Sequence, residues 1–278
     1  MEPHSHLLRS SLCGYRPEYA QSYGRGVTFA VSAEDYNRFM GRFSEPLAEQ
    51  FSDFAGIGAG QHVLDVGCGP GALTARLVQL LGPDWVSAID PSPSFVEAVR
   101  ARFPEIDVRA ATAEDLPFRS DTFDVALAQL VVHFMSDPVA GLSEMSRVTR
   151  PGGVVAACVW DHAGGGGPLS TFWRAVHELD PTAPGEAGRA GAREGQLAEL
   201  AEAAGLSGIS TGSLTIRLVF ASFTEWWEPF TLGVGPAGDY VASLPRDRRE
   251  ELQARCSALL GPPPFEIVAA AWSVRGYA

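Results

Sequence analysis

From Ser32 onward the apolar positions fall into a pattern. Tyr36, Phe39, Met40, Phe43, Leu47, Phe51 and Phe54 recur at helical spacing, with Pro46 marking a break or a second start. Short apolar runs and amphipathic stretches then alternate. "HVLDVG" (62–67), "WVSAID" (85–90), "DVRAAT" (107–112), the start of "FDVALAQLVVHF" (123–134) and "GVVAACVW" (153–160) are strand-like. "GALTARLVQLLG" (71–82), "SPSFVEAVRARF" (92–103) with Ser92 placed as its cap, and "PVAGLSEMSRVTR" (138–150) are helix-like. Buried-type strands alternating with helices predict a mostly parallel, doubly wound sheet covered on both faces.

The second half is less regular. "DHAGGGGP" (161–168) is a flexible connection that would also serve as a hinge. Helices are predicted over 169–179 and 193–206, and late strands over 213–220 and 265–274, with a helical insertion between those strands that would cap a site. No internal repeat is visible. The first 26 residues show no clear period, and residues 1–31 are expected to form a poorly ordered extension. Residues 32–278 are expected to form one domain, with N-terminal helices over 32–60, a binding core over 61–160 and a substrate side over 161–278.

Composition narrows the function classes. Hydrophobic residues are 46% and charged residues 19%, which suits a packed globular core. The net charge is −12 and the acids are spread along the chain, so no basic patch marks it for nucleic acid. No apolar run approaches the roughly 18 residues of a membrane span, and the N-terminus lacks a signal-peptide core. Cys13, Cys68, Cys158 and Cys256 are scattered without a C-x-x-C pair, which predicts free thiols in a reducing cytoplasm and no metal site.

The candidate chemistry lies in "VLDVGCGPGALT" (63–74). Gly67, Gly69 and Gly71 make a tight turn between a strand and a helix, where free N–H groups meet a ligand. A dinucleotide site would use G-x-G-x-x-G; the spacing here is G-x-G-x-G. Asp65, just before the turn, disfavours a pyrophosphate and suits a cationic ligand. Asp90, closing the second strand, stands where an acid accepts ribose hydroxyls, although a helix-start acid would occupy the same place. "ATAEDLPF" (111–118) follows the third strand, where an adenine edge would be read, and Gln129 and His133 approach the same crevice.

"VLDVGCGPG", "AIDPS", "AEDLPF", "FDVALAQLVVHF" and "EMSRVTRPGG", in this order, resemble the class I methyltransferases that use S-adenosylmethionine, in the branch around ubiquinone and menaquinone biosynthesis. The resemblance covers residues 32–160 closely and the rest loosely. It implies a Rossmann-like seven-stranded sheet with an antiparallel last strand. It also implies methyl transfer to a small-molecule acceptor with S-adenosylhomocysteine as product. Carried over by position, Asp65, Gly67, Cys68, Gly69 and Gly71 would hold the methionine part of the cofactor and Asp90 its ribose. Pro91 and Ser92 would flank ribose and adenine. Thr112, Ala113 and Glu114 would take the adenine-reading place, with Thr112 standing where the family often has Asp or Asn. Gln129 would touch the methionine end. "YNRFMGR" resembles a segment ahead of the family core, in which Tyr36 and Met40 would cover the cofactor and Arg42 would pair with its carboxylate. His133 is the best general-base candidate, because an unperturbed imidazole titrates near neutrality; His162 and Tyr36 are weaker ones. Trp173, Trp226, Trp227 and Phe230 are candidate pocket lining, or simply core. The alternatives are a catalytically silent cofactor-binding module and a NAD-dependent oxidoreductase. Oligomeric state is not legible.

Overall fold

In the computed structural model, which describes residues 32–278, seven strands form one sheet. In chain order they are β1 (Val63–Val66), β2 (Val86–Asp90), β3 (Asp107–Ala110), β4 (Phe123–Gln129), β5 (Thr149–Trp160), β6 (Ser207–Phe220) and β7 (Phe265–Tyr277). They lie side by side as β3-β2-β1-β4-β5-β7-β6. All pairings from β3 to β5 are parallel, whereas β7 runs antiparallel to both β5 and β6. The fold expected from the sequence is therefore observed. The expected N-terminal extension lies outside the described residues.

The helices are α1 (Ala33–Tyr36), α2 (Arg42–Ala55), α3 (Ala72–Leu81), α4 (Pro93–Arg102), α5 (Pro138–Val148), α6 (Ser170–Leu179), α7 (Gln196–Ala203), α8 (Phe223–Trp227), α9 (Gly235–Ser243) and α10 (Arg246–Leu260). The central strands are buried on both faces, which is why they read as nearly continuous apolar runs. One face packs Phe51, Trp160, Phe172, Phe220 and Phe230; the other packs Leu64, Ile89, Leu142 and Val155. The chain winds from β1 outward to β3, then returns to place β4 on the other side of β1. That reversal opens a crevice at the carboxyl ends of β1 and β4, the usual ligand position in open α/β sheets.

Several element ends differ from the pattern reading. β6 and β7 extend beyond 213–220 and 265–274, because the polar segment "SGISTG" pairs with β7 without needing an apolar face. The first helix is not interrupted at Pro46. Pro46 sits inside α2, and the irregularity lies upstream as a π-helical turn over Asn37–Gly41. Proline lacks the N–H that would bond one turn back, so α2 simply forgoes that bond. Ser92 begins α4 without capping it: its hydroxyl lies 2.9 Å from that of Ser94. α7 starts at Gln196 instead of Arg193, after Gly195 in a left-handed conformation. The insertion between β6 and β7 is helical as expected, but Leu244 and Pro245 divide it.

β6 is an edge strand, and α2 covers part of its open side. The Gln50 side-chain amide donates to Thr215 O at 2.7 Å, while its oxygen accepts from Thr215 N at 3.1 Å. A side chain thus takes the place of an eighth strand at one residue. Replacing Gln50 by Leu should lower stability by roughly 1–2 kcal/mol in urea titration, since both bonds are lost together; an unchanged midpoint would show that water replaces them at no cost.

Candidate active site

The crevice is floored by the turn between β1 and α3. Gly67 N and Cys68 N both donate to Ile89 O, at 2.8 and 2.9 Å, so the turn is stitched to the end of β2. Gly67 has φ of +71°, and a Cβ there would stand 2.5 Å from Val131 Cγ2. Gly71 has φ of +92° and starts α3. Both need glycine for backbone reasons, and Gly67 also for space.

Two carboxylates face this turn. Asp65 is 1% exposed at the end of β1, and its Oδ2 accepts from Thr74 Oγ1 at 2.6 Å. Burial, with a smaller contribution from Asp90, pushes its pKa up to about 7 against the lowering effect of Thr74. Asp90 is 6% exposed at the end of β2. Its oxygens accept from Gly69 N and Ser92 N, both at 2.8 Å, yet burial still raises its pKa. No Arg or His pairs with either among the described residues. Burying two carboxylates without a counter-cation is costly, and a bound cation would remove most of that cost. The Cys68 thiol is also buried here, and burial reinforced by Asp65 and Asp90 holds it protonated, so it fills space and does not react.

Tyr36, Asn37, Gly41 and Ser44 cover the crevice, facing Asp65, the glycine turn, Leu73, Gln129 and Leu130. Tyr36 meets Phe95 edge-on at 5.2 Å, and its hydroxyl is held above the usual phenol range by burial and then by Asp90. Gln129 Nε2 donates to Ser44 O at 3.0 Å, while its buried Oε1 has no partner among the described residues. Leu130 adopts φ of +62°, which is strained for a branched side chain and is held by its N–H on Cys158 O at 2.8 Å.

Most residues singled out in the sequence come together here: Tyr36, Asp65, Gly67, Cys68, Gly69, Gly71, Asp90, Ser92 and Gln129. Others do not line the crevice. Arg42 is turned away: its guanidinium pairs with Glu225 at 2.7 Å and lies 4.4 Å from the Phe220 ring. The reason is helical register. Asn37, Gly41 and Ser44 share the crevice side, which puts Phe39, Arg42 and Phe43 on the other, where they line an aromatic pocket with Leu169, Phe220, Trp226 and Phe230. Met40 packs against the core beside the same turn. Ala113 is buried in the second core, and Thr112 and Pro91 are exposed. Glu114 is engaged elsewhere, accepting from Ser136 N and Asp137 N at 2.7 and 3.2 Å ahead of α5. Trp173 and Trp227 are core, with the Trp173 indole donating to Glu186. Sequence reading missed Asn37, Ser44, Thr74 and Leu130. Thr74 had a signal, since one turn into the helix it faces the preceding strand end; Leu130 had none, because nothing in a leucine announces positive φ.

Fold and crevice define an open α/β domain of class I methyltransferase type, with an acid at the end of each of its first two strands. Residues 64–157 match the family model described as a methyltransferase domain. An uncharacterized methyltransferase of Mycobacterium tuberculosis is 36% identical over 135 residues, 49% of this chain and 52% of the relative. The malonyl-[acyl-carrier protein] O-methyltransferase of Hahella chejuensis is 32% identical over 128 residues, 45% of this chain and 46% of that one. The chain spans about half the length of the curated relatives it matches. A Bacillus halodurans structure solved as a candidate methyltransferase superposes with TM-score 0.55 at 15% identity, over 83% of this chain and 97% of that one; this is a likeness of fold. The domain match over residues 64–157, the methyltransferase relatives and the shared fold together support a class I S-adenosylmethionine-dependent methyltransferase.

The residues present fit that family's cofactor. It carries an ammonium and a sulfonium, for which Asp65 would supply a counter-charge. It also carries a ribose diol, which needs the acceptors that Asp90 presents.

Asp65 also sets a pH dependence. The folded, ligand-free chain keeps this proton up to about pH 7, whereas an unfolded Asp loses it near pH 3.9. The folded state therefore binds more protons across that window, and this group's contribution to stability falls as pH rises through it. Asp65→Asn should raise the ligand-free melting temperature at pH 8 by several degrees, corresponding to roughly 1–3 kcal/mol, with little gain at pH 4.5. Equal shifts at both pH values would mean that Asp65 is not protonated in the folded state. Gly67→Ala should cost about 2–4 kcal/mol from strain and overlap with Val131, and Val131→Ala in the same chain should recover part of it. No recovery in denaturant titration would assign the whole cost to backbone conformation.

Proposed function

We propose that the chain is an S-adenosylmethionine-dependent methyltransferase acting on a small-molecule acceptor and releasing S-adenosylhomocysteine. The observation that carries this reading is the pair of buried carboxylates, Asp65 and Asp90, at the carboxyl ends of adjacent strands with no paired cation among the described residues. When bound, the cofactor supplies a methyl group activated by its sulfonium. The chain's part is to hold, align and dry the site, and alignment contributes on the order of 7–11 kcal/mol at its upper end.

In this reading Asp65 and the Gly67–Gly71 turn hold the methionine part, with Cys68 filling space beneath. Asp90 takes the ribose hydroxyls, and Pro91 and Ser92 border them. Thr112 and Ala113 offer backbone groups beside the adenine, while Glu114 braces that loop against α5. Tyr36 covers the site and Met40 backs it. Gln129 directs its unpartnered oxygen to the methionine end. Arg42 belongs to the acceptor side, where the aromatic pocket suits an apolar organic body. A pyrophosphate would bring negative charge against Asp65, which argues against NAD. A chain of net charge −12 with its acids spread along the sequence argues against nucleic acid. No helix among the described residues is long and apolar enough to cross a membrane. Cys68, Cys158 and Cys256 are free and buried, which suits a protein of the cytoplasm.

The test is ligand-linked stability followed by turnover. S-adenosylhomocysteine at about 100 times its Kd should stabilise the chain by about 2.7 kcal/mol, and NAD should not. With S-adenosylmethionine and a panel of small acceptors, acceptor-dependent S-adenosylhomocysteine should accumulate. Stabilisation by NAD alone would overturn the reading, and cofactor binding with no turnover on any acceptor would favour a silent module.

A further inference from the structure

Beyond the crevice, buried polar atoms without partners collect at the ends of β4 and β5. Among the described residues, His133 Nδ1, Trp160 Nε1 and His162 Nε2 are buried and make no hydrogen bond. His133 follows β4 on a short 3-10 turn, Trp160 closes β5, and His162 lies two residues on. The two imidazoles face each other with ring centres 5.6 Å apart. Gly167 lies between His162 and Trp160: a Cβ there would stand 3.4 Å from His162 Nδ1 and 3.5 Å from Trp160 Cβ. An orphaned buried nitrogen is costly, so the facing imidazoles of His133 and His162, with the unpartnered indole of Trp160 on the strand end beside them, ask for a reason.

Behind them runs a partnered network. Trp173 Nε1 donates to Glu186 Oε2 at 2.8 Å. Glu186, 5% exposed in its side chain, lies 3.6 Å from Arg189. Arg189 Nη1 donates to His133 O at 3.2 Å, and its guanidinium lies 5.1 Å from the Phe134 ring. This network fixes the 3-10 turn to the loop that follows α6. It also sets the charge of the pair. His133 is driven well below the ordinary imidazole range by burial, then by His162 and Arg189. His162 is lowered chiefly by burial, with Arg189 acting in the same direction and Glu186 and Asp161 opposing. Both rings are neutral at physiological pH.

The chemistry of these atoms selects a head group. A neutral imidazole offers a lone pair on one nitrogen and an N–H on the other, while an indole only donates. A hydroxyl both gives and takes a hydrogen bond, and so satisfies such a set. The Glu186–Arg189 pair carries opposite charges side by side, so neither a carboxylate nor an ammonium meets a net counter-charge to offset its desolvation. The aromatic pocket borders the same region: Leu169 lines it, its Phe230 stacks on Phe172 at 4.6 Å, and Trp173 is the next residue.

We propose that His133, His162 and Trp160 form the recognition site for an uncharged hydroxyl on an aromatic acceptor, with Glu186 and Arg189 as positioning residues that hold the pair in place. This rests on the methyltransferase reading and names the class of acceptor for it: a phenol or aryl alcohol, not a carboxylic acid or an amine.

Three ligands of one shape test it: 2-naphthol, naphthalene and 2-naphthoate. Each is titrated into the full chain saturated with S-adenosylhomocysteine, with imidazole resonances of isotope-labelled histidine as the readout. 2-Naphthol should move both His133 and His162 and bind about tenfold or more tighter than either analogue, as expected for gained hydrogen bonds in a dry site. His133→Phe and His162→Phe keep ring volume and remove the nitrogens. Each should cut that preference to below about threefold while leaving S-adenosylhomocysteine affinity within about twofold. Tighter binding of the carboxylate, or no response of either imidazole to any of the three, overturns the proposal; in the second case the pair holds buried water only. Arg189→Met should weaken the hydroxyl preference and raise the pH at which His133 protonates, a shift that a purely structural role would not produce. The same titration without S-adenosylhomocysteine reads the pair alone, so failure of cofactor binding strikes the underlying reading separately.

Discussion

Asp65 and Asp90 end neighbouring parallel strands, so the fold itself forces two carboxylates into one buried crevice. Much of the surrounding structure manages that repulsion. Thr74 donates to one acid, and the backbone N–H groups of Gly69 and Ser92 donate to the other. The glycine turn can deliver those groups because it takes left-handed conformations and because Gly67 leaves room for Val131. Even so, Asp65 stays near neutral pH in its titration. Above that pH the ligand-free fold carries an electrostatic cost that a bound cation would remove.

The N-terminal segment completes the site from above. The π-helical turn at Asn37–Gly41 divides two environments: a polar crevice with Asn37, Gly41 and Ser44, and an aromatic pocket with Phe39, Arg42 and Phe43. Such turns occur often at functional sites, because an extra residue re-aims the side chains around it. In the proposed reading this partition would separate the seat of a charged cofactor from the space for an apolar acceptor. The polar crevice reaches the end of β4 at Gln129 and the strained Leu130, and the unpartnered nitrogens of His133 and His162 follow β4 and β5.

The sheet was legible because buried parallel strands must be apolar on both faces and their helices on one. The glycine turn and its two acids were legible because residue type and position jointly dictate their chemistry. Placement on the N-terminal segment was not. Helical periodicity locates Tyr36, Met40 and Arg42 on a helix, but the sequence does not say which side meets the sheet crevice, and Arg42 went to Glu225. Glu114 was misread for a related reason: an acid beside a binding loop can as readily satisfy the N–H groups ahead of the next helix. Leu130 and the Gln50 bonds to the edge of β6 depend on tertiary contacts that have no local signature.

The central claim is that the protonated Asp65 of the free chain becomes the counter-ion of a cationic cofactor. Calorimetric titration with S-adenosylmethionine in buffers of different ionisation heat measures the protons exchanged on binding. Because burial holds the Asp65 pKa up to about 7 in the free chain, binding at pH 6 should release about one proton, and the release should fade towards zero by pH 8.5. Affinity should rise with pH across the same range. Binding at pH 6 with no proton released, and an affinity flat from pH 5.5 to pH 8, would contradict the account.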